Sequence, residues 1–302
     1  MVAQPPACPL RRRRRPTGGR VAGLLVSIVA ASAAAAAEPS AAQAALVEDV
    51  RRDLGAGYTI EPVEDLFVVA SNTDRAGMEE GKSTVRRAYR ALTKTFFDRK
   101  PDRPMAVYLF RDARSYEDYH VRHYGGKPST PYGFFRPDER KLVMNIATGT
   151  GTLVHEITHP LLAADFPGAP AWLNEGLASL FEQCQLTDDR IRGLVNWRLP
   201  YLREAIEKKT LIPLRRLLAM PADEFYRRHS LPYAESRYLC MYLQELDRLI
   251  PFYKAFRAAA AAEDPAARDA TGAATLEAVT GKPLDALQAD WLAWAATLEW
   301  KR

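Results

Sequence analysis

The chain has 302 residues, room for one large domain or two small ones with a true hydrophobic core. With 47% hydrophobic, 26% charged and 10% aromatic residues, its composition excludes a disordered or fibrous protein. The net charge of +5 does not point to a nucleic acid, because the excess sits in the first 37 residues: six arginines (Arg11 to Arg15 and Arg20) and no lysine or acid. Without that stretch, 36 basic residues face 37 acidic ones, a net charge of −1.

The same stretch predicts an export signal occupying residues 1–37. The arginine run is the positive region, "VAGLLVSIVAASAAAAA" (21–37) the apolar one, and Ala35-Ala36-Ala37 before Glu38 the small-residue cleavage site. The apolar run is alanine-rich and shorter than the about 20 residues of a spanning helix, so no stable membrane span is expected after cleavage. The mature chain, 38–302, is expected in the periplasm or secreted. The twin-arginine motif is incomplete, and Cys8 has no lipoprotein-type box before it and leaves with the signal. Cys184 and Cys240 remain, in a compartment that permits disulfides; the sequence is consistent with a pair or with two buried thiols.

In chain order, residues 46–54 read as a short helix and 58–71 as paired strands. Over 75–97 the helical spacing puts Val85, Ala88, Tyr89, Leu92 and Phe96 on one face. "MAVYLF" (105–110) is a buried strand, Asp112 caps a helix through Tyr124, and "GGKPSTPYG" is a loop. "GFF" and "KLVMNI" around "RPDER" predict a hairpin, of which residues 140–147 could be the sheet edge. From 151 onward no strong strand signal appears, and helices are predicted over 151–165, 171–184, 187–208, 222–229, 233–249, 251–262 and 283–297. The expected fold is α+β: a small mixed β-sheet with helices in an N-terminal lobe (38–150), then an all-helical C-terminal lobe (151–302).

"GTLVHEITHP" (151–160) falls at the joint of the two. Positions i and i+4 of a helix share a face one turn apart, so His155 and His159 can offer imidazole nitrogens to one metal ion. Glu156 lies beside them, placed to reach a water without entering the coordination sphere. This is the H-E-x-x-H arrangement, with zinc as its usual metal and the glutamate as general base. Alone, the pattern is also compatible with two satisfied histidines. His120 and His123, spaced i, i+3 in a charged helix with no third ligand signalled, read as solvated surface.

Sixteen residues after His159 comes a glutamate in an apolar stretch, Glu175 of "PAWLNEGLASLFE", which needs a partner. The chain here resembles the gluzincins, the thermolysin-like peptidase clan, whose third zinc ligand is a glutamate on the helix after H-E-x-x-H. It resembles most the small exported peptidase-MA-like proteins, whose second motif W-L-x-E-G-x-A is matched by Trp172, Leu173, Glu175, Gly176 and Ala178. Trp172, Leu173 and Leu177 also read as core, and Gly176 as a site of close helix approach. "YAESRYLCMYL" (233–243) matches the family's Tyr-Ala-x-Ser stretch, and residues 271–298 resemble its closing helices.

The resemblance implies a zincin-like helix at the joint, one Zn2+ ion held by His155, His159 and Glu175, and Glu156 as the catalytic base. It implies Tyr233 as donor to the oxyanion, with His229 as the rival, while Tyr238 and Tyr242 pack the helix. The implied substrate is a peptide or protein, hydrolysed by a Glu-activated zinc-bound water, with an edge strand pairing the extended substrate. Two positions depart from the pattern. Pro160 directly follows His159 and predicts a kink. Ser179 stands where thermolysin-like enzymes carry an acid that holds a zinc histidine. A metal-bearing gluzincin fold without turnover is the alternative in another class, and a metal-free structural protein of the cell envelope the third.

Overall fold

The computed structural model describes residues 38–228 and 230–300. The expected signal over 1–37, with Cys8, and the rival donor His229 lie outside the described residues. From Glu38 onward the described residues form one compact unit.

Helix α1 (Ala41–Leu54) begins at a capping box in which Ser40 and Gln43 satisfy each other's backbone N–H groups. The paired strands expected next are an antiparallel hairpin, β1 (Thr59–Val63) and β2 (Phe67–Ser71). Helix α2 (Arg75–Thr95) follows, then β3 (Met105–Phe110), α3 (Ala113–Tyr124) behind its Asp112 cap, and the hairpin β4 (Gly133–Arg136) and β5 (Lys141–Asn145). The five strands form a mixed sheet in the order β1-β2-β3-β5-β4, with β2, β3 and β5 parallel at its centre. Those central strands are apolar runs because both faces are covered. Successive side chains alternate between two cores. Phe67, Val69, Val107, Leu109, Leu142 and Met144 enter the large core shared with the later helices. Val68, Ala70, Ala106, Tyr108, Phe110 and Val143 enter a smaller one under α1 and α3. Pro62 is tolerated because β1 is an edge.

Residues 140–147 are not the sheet edge. Strand β5 is paired on both sides, by β3 and β4, and the edge on that side of the sheet belongs to β4.

Beyond the sheet lie α4 (Gly151–Asp165), α5 (Ala171–Phe181), α6 (Leu199–Glu207), α7 (Leu214–Leu218), α8 (Ala222–Arg227), α9 (Ser230–Glu245), α10 (Leu249–Ala260), α11 (Ala273–Thr280) and α12 (Leu284–Thr297). This part is not all-helical. The helix expected over 187–208 is replaced by a hairpin, β6 (Cys184–Leu186) and β7 (Ile191–Gly193), a loop, and the shorter α6. The reason is local: Thr187 closes the turn on Arg190, and the Gln244 side chain hydrogen-bonds both the N–H and the carbonyl of Gly193. Three-residue strands are too short to show a period of two. Asp188 and Asp189 at that turn face Arg90 and Lys94 of α2.

Helix α5 packs most extensively on α9, through Gly176 as expected. A Cβ at that position would stand 2.9 Å from Cys240 Sγ and 3.0 Å from the Ser236 carbonyl oxygen. Trp172, Leu173 and Leu177 are buried in the same layer. Cys184 and Cys240 are free thiols. No helix among the described residues is long and apolar enough to cross a membrane.

Candidate metal centre

Helix α4 runs unbroken through Pro160, so the kink expected there does not interrupt it. Its first residue is Gly151, where a Cβ would lie 2.3 Å from the carbonyl oxygen of Glu182 at the end of α5. That close approach brings the two helices together one turn before His155. The rings of His155 and His159 then lie on one face of α4, with centroids 4.9 Å apart. Glu175 reaches them from α5, its Oε2 3.6 Å from His155 Nε2.

One ligand atom from each of His155, His159 and Glu175 falls within 4.8 Å of the other two. Donors at about 2.0–2.2 Å from one tetrahedral zinc ion stand about 3.3–3.6 Å apart, so a shared ion would draw the most widely spaced of them in by about 1 Å. Two imidazoles and a carboxylate, with no thiolate, are a donor set suited to zinc. The residues fit the ion. Among the described residues no other trio of His, Cys, Asp or Glu converges this way. His120 and His123 do not: His120 Nδ1 meets the Gly126 carbonyl, and His123 stacks on Tyr119 beside Asp53.

Burial makes these groups electrostatically demanding. Glu175 is 5% exposed and His155 9%. Burial alone disfavours the His155 cation, but the adjacent Glu175 carboxylate and the nearby Glu156 raise its pKa above the usual histidine value. Burial likewise opposes the Glu175 anion, yet His155 and His159 hold its carboxyl below the usual glutamate range. The two form a buried, mutually dependent couple, and His155 Nδ1 has no hydrogen-bond partner among the described residues. Ser179 does not supply one, since its own buried hydroxyl is unpartnered too.

A different residue orients the second histidine. His159 Nδ1 donates to Asn174 Oδ1 at 2.9 Å, which directs Nε2 toward the other donors. Asn174 was visible in the sequence as a polar residue inside an apolar helix, directly before Glu175. The Tyr226 hydroxyl donates to Glu175 Oε1 at 3.2 Å; nothing in "ADEFYRR" signalled it.

The three donors stand in the wall of a cleft of about 590 Å³, which is also lined by Glu156, Tyr226, Tyr233 and residues of β4. Tyr233 is thus brought to the site, its ring 6.5 Å from that of Tyr226, but its hydroxyl makes no hydrogen bond among the described residues. Burial, then the field of Glu175, pushes the Tyr226 phenol up to about 12, and the same causes in the same order raise Tyr233 further. Both therefore keep their protons at neutral pH, and each hydroxyl has a proton to donate. Tyr238 and Tyr242 are buried away from the cleft, Tyr238 bonding the backbone of Asn196.

No protein-family model matches the chain, and no curated protein matches it significantly.

Proposed function

We propose that this chain is an exported zinc metallopeptidase of gluzincin type, with His155, His159 and Glu175 as the ligands of one Zn2+ ion. The observation that carries the reading is the convergence of those three donors, from two helices, in the wall of a cleft that Glu156 also lines. Export rests on the sequence of residues 1–37. When bound, zinc supplies a Lewis acid that acidifies a water and polarises a carbonyl.

The chain's own residues do the rest. Glu156, half-buried at the cleft, accepts a proton from the attacking water and later delivers it to the leaving amine. Tyr233 donates to the oxygen on which charge develops, and Tyr226 holds Glu175 in its ligating orientation. Asn174 fixes the His159 tautomer. Strand β4, with its free edge beside the cleft, offers backbone groups to an extended peptide.

The test is digestion of a broad peptide library by purified wild type. Cleavage that a chelator abolishes and that Glu156→Gln lacks is the expected result. Zinc binding without any cleavage would favour a non-catalytic member of the same fold. Absence of stoichiometric zinc would overturn the reading.

A further inference from the structure

Arg198 sits on the floor of the same cleft, at the start of α6, and its side chain is only 12% exposed. Its Nε donates to Glu182 Oε2 at 3.1 Å, and Asn196 braces that oxygen from the other side at 3.4 Å. The guanidinium lies 4.2 Å from the centroid of the Trp197 ring and 5.5 Å from that of Tyr233. These contacts fix the plane of the group and strip much of its water. They use its Nε edge and its faces. The two Nη atoms have no acceptor among the described residues, and neither is sealed from the cleft as a buried, unpaired group.

An immobilised guanidinium with its end-on fork unused is matched to one ligand group above others, a planar carboxylate that accepts two parallel hydrogen bonds. The fold itself has no use for that fork. Glu182 is bonded through the Arg198 Nε and by Asn196, without either Nη. Burying a charged pair is costly unless something is gained from it.

We infer that Arg198 is the anchor for a carboxylate of the substrate, so that the cleft selects peptides carrying a carboxylate beside the bond to be cut. The inference rests on the peptidase reading for what happens next to the substrate, but the anchoring is a binding property separable from turnover. The carboxylate is a chain terminus or an acidic side chain; both present the same planar oxygens, and the probes separate them.

Equilibrium binding to the full-length Glu156→Gln protein tests this without hydrolysis. Three probes are titrated calorimetrically: acetyl-Ala-Phe with a free terminus, its C-terminal amide, and acetyl-Ala-Glu-amide. Each is run with zinc and again after chelation, because a carboxylate could otherwise bind the ion itself. The expected result, in both states, is that at least one carboxylate probe binds about tenfold or more tightly than the neutral amide. Adding Arg198→Gln should erase that ratio while leaving the zinc content unchanged. Arg198→Lys, which keeps the charge without the fork, should erase most of it. If acid and amide bind alike, if no probe binds, or if the ratio survives Arg198→Gln, the proposal is overturned. Should Arg198→Gln fail to fold, the acid-to-amide ratio in the parent protein still decides. A missing zinc ion would defeat the peptidase reading and leave this ratio untouched.

Discussion

Asn174, and not Ser179, is the residue that orients a histidine of the site. The carboxamide of Asn174 holds His159 at 2.9 Å, while Ser179 holds neither histidine. Losing such an outer partner costs about 10- to 100-fold in metal affinity. Asn174→Ala should therefore weaken zinc binding by that factor in a competitive chelator titration; an unchanged affinity would show that the contact orients nothing. Tyr233 makes a different demand. Tyr233→Phe should leave zinc in place and lower turnover by about 100- to 1,000-fold, as for the loss of one oxyanion donor. A fall of less than about threefold, with His229→Ala abolishing activity, would transfer the role to His229. At this scale the convergence of His155, His159 and Glu175 was legible because spacing along one helix, and a lone acid in an apolar stretch, are local signals. It hid Tyr226 and Arg198, which reach the cleft from α8 and from the loop before α6 by tertiary packing alone.

The elements that hold the site are α4, α5 and α9, and the tightest seam is α5 on α9. Arg237 of α9 is fully buried and donates to Asn196, to the Ser179 carbonyl and to the Leu194 carbonyl, so one side chain ties α5 to the strand end that leads to Trp197 and Arg198. Gly176 makes the seam possible. Gly176→Ala would press a methyl group against Cys240 and the Ser236 carbonyl, and overpacking of this kind costs about 1–3 kcal/mol. Urea denaturation should show the midpoint lowered with the slope unchanged; equal stability would mean that the helices part without cost. Long amphipathic helices and apolar strands were legible from period and composition, as α2 and β3 illustrate. The β6–β7 hairpin was not, because its pairing is enforced by Gln244, 51 residues along the chain from Gly193. Which strand of the β4–β5 hairpin is the edge is not legible either, since sequence gives a pairing but not which member meets β3.

Across the whole molecule, one buried acid outside the site makes stability depend on pH. Glu235 is fully buried on α9, where burial pushes its carboxyl up to about 8 against the opposing effects of the Ile212 N–H and Arg228. The folded pKa lies above the unfolded value of 4.5, so the folded state holds this proton more tightly. Its contribution is complete below about pH 4.5, declines as pH rises, and is lost above about pH 8, at up to about 1.4 kcal/mol per pH unit. Glu235→Gln keeps the acceptor for Ile212 and removes the titration. The variant should flatten the fall in unfolding free energy between pH 5 and 8; an identical slope in both proteins would place the titrating group elsewhere.

The central claim, that Glu175 is a ligand and Glu156 is not, is tested most directly by zinc content and thermal unfolding of two variants beside the wild type. Glu156→Gln should retain one zinc ion per chain and unfold at about the wild-type temperature. Glu175→Ala, left with two histidines, should lose the ion under the same dialysis and forfeit the stabilisation that a ligand of the folded state confers. Equal zinc in the two variants would contradict the account.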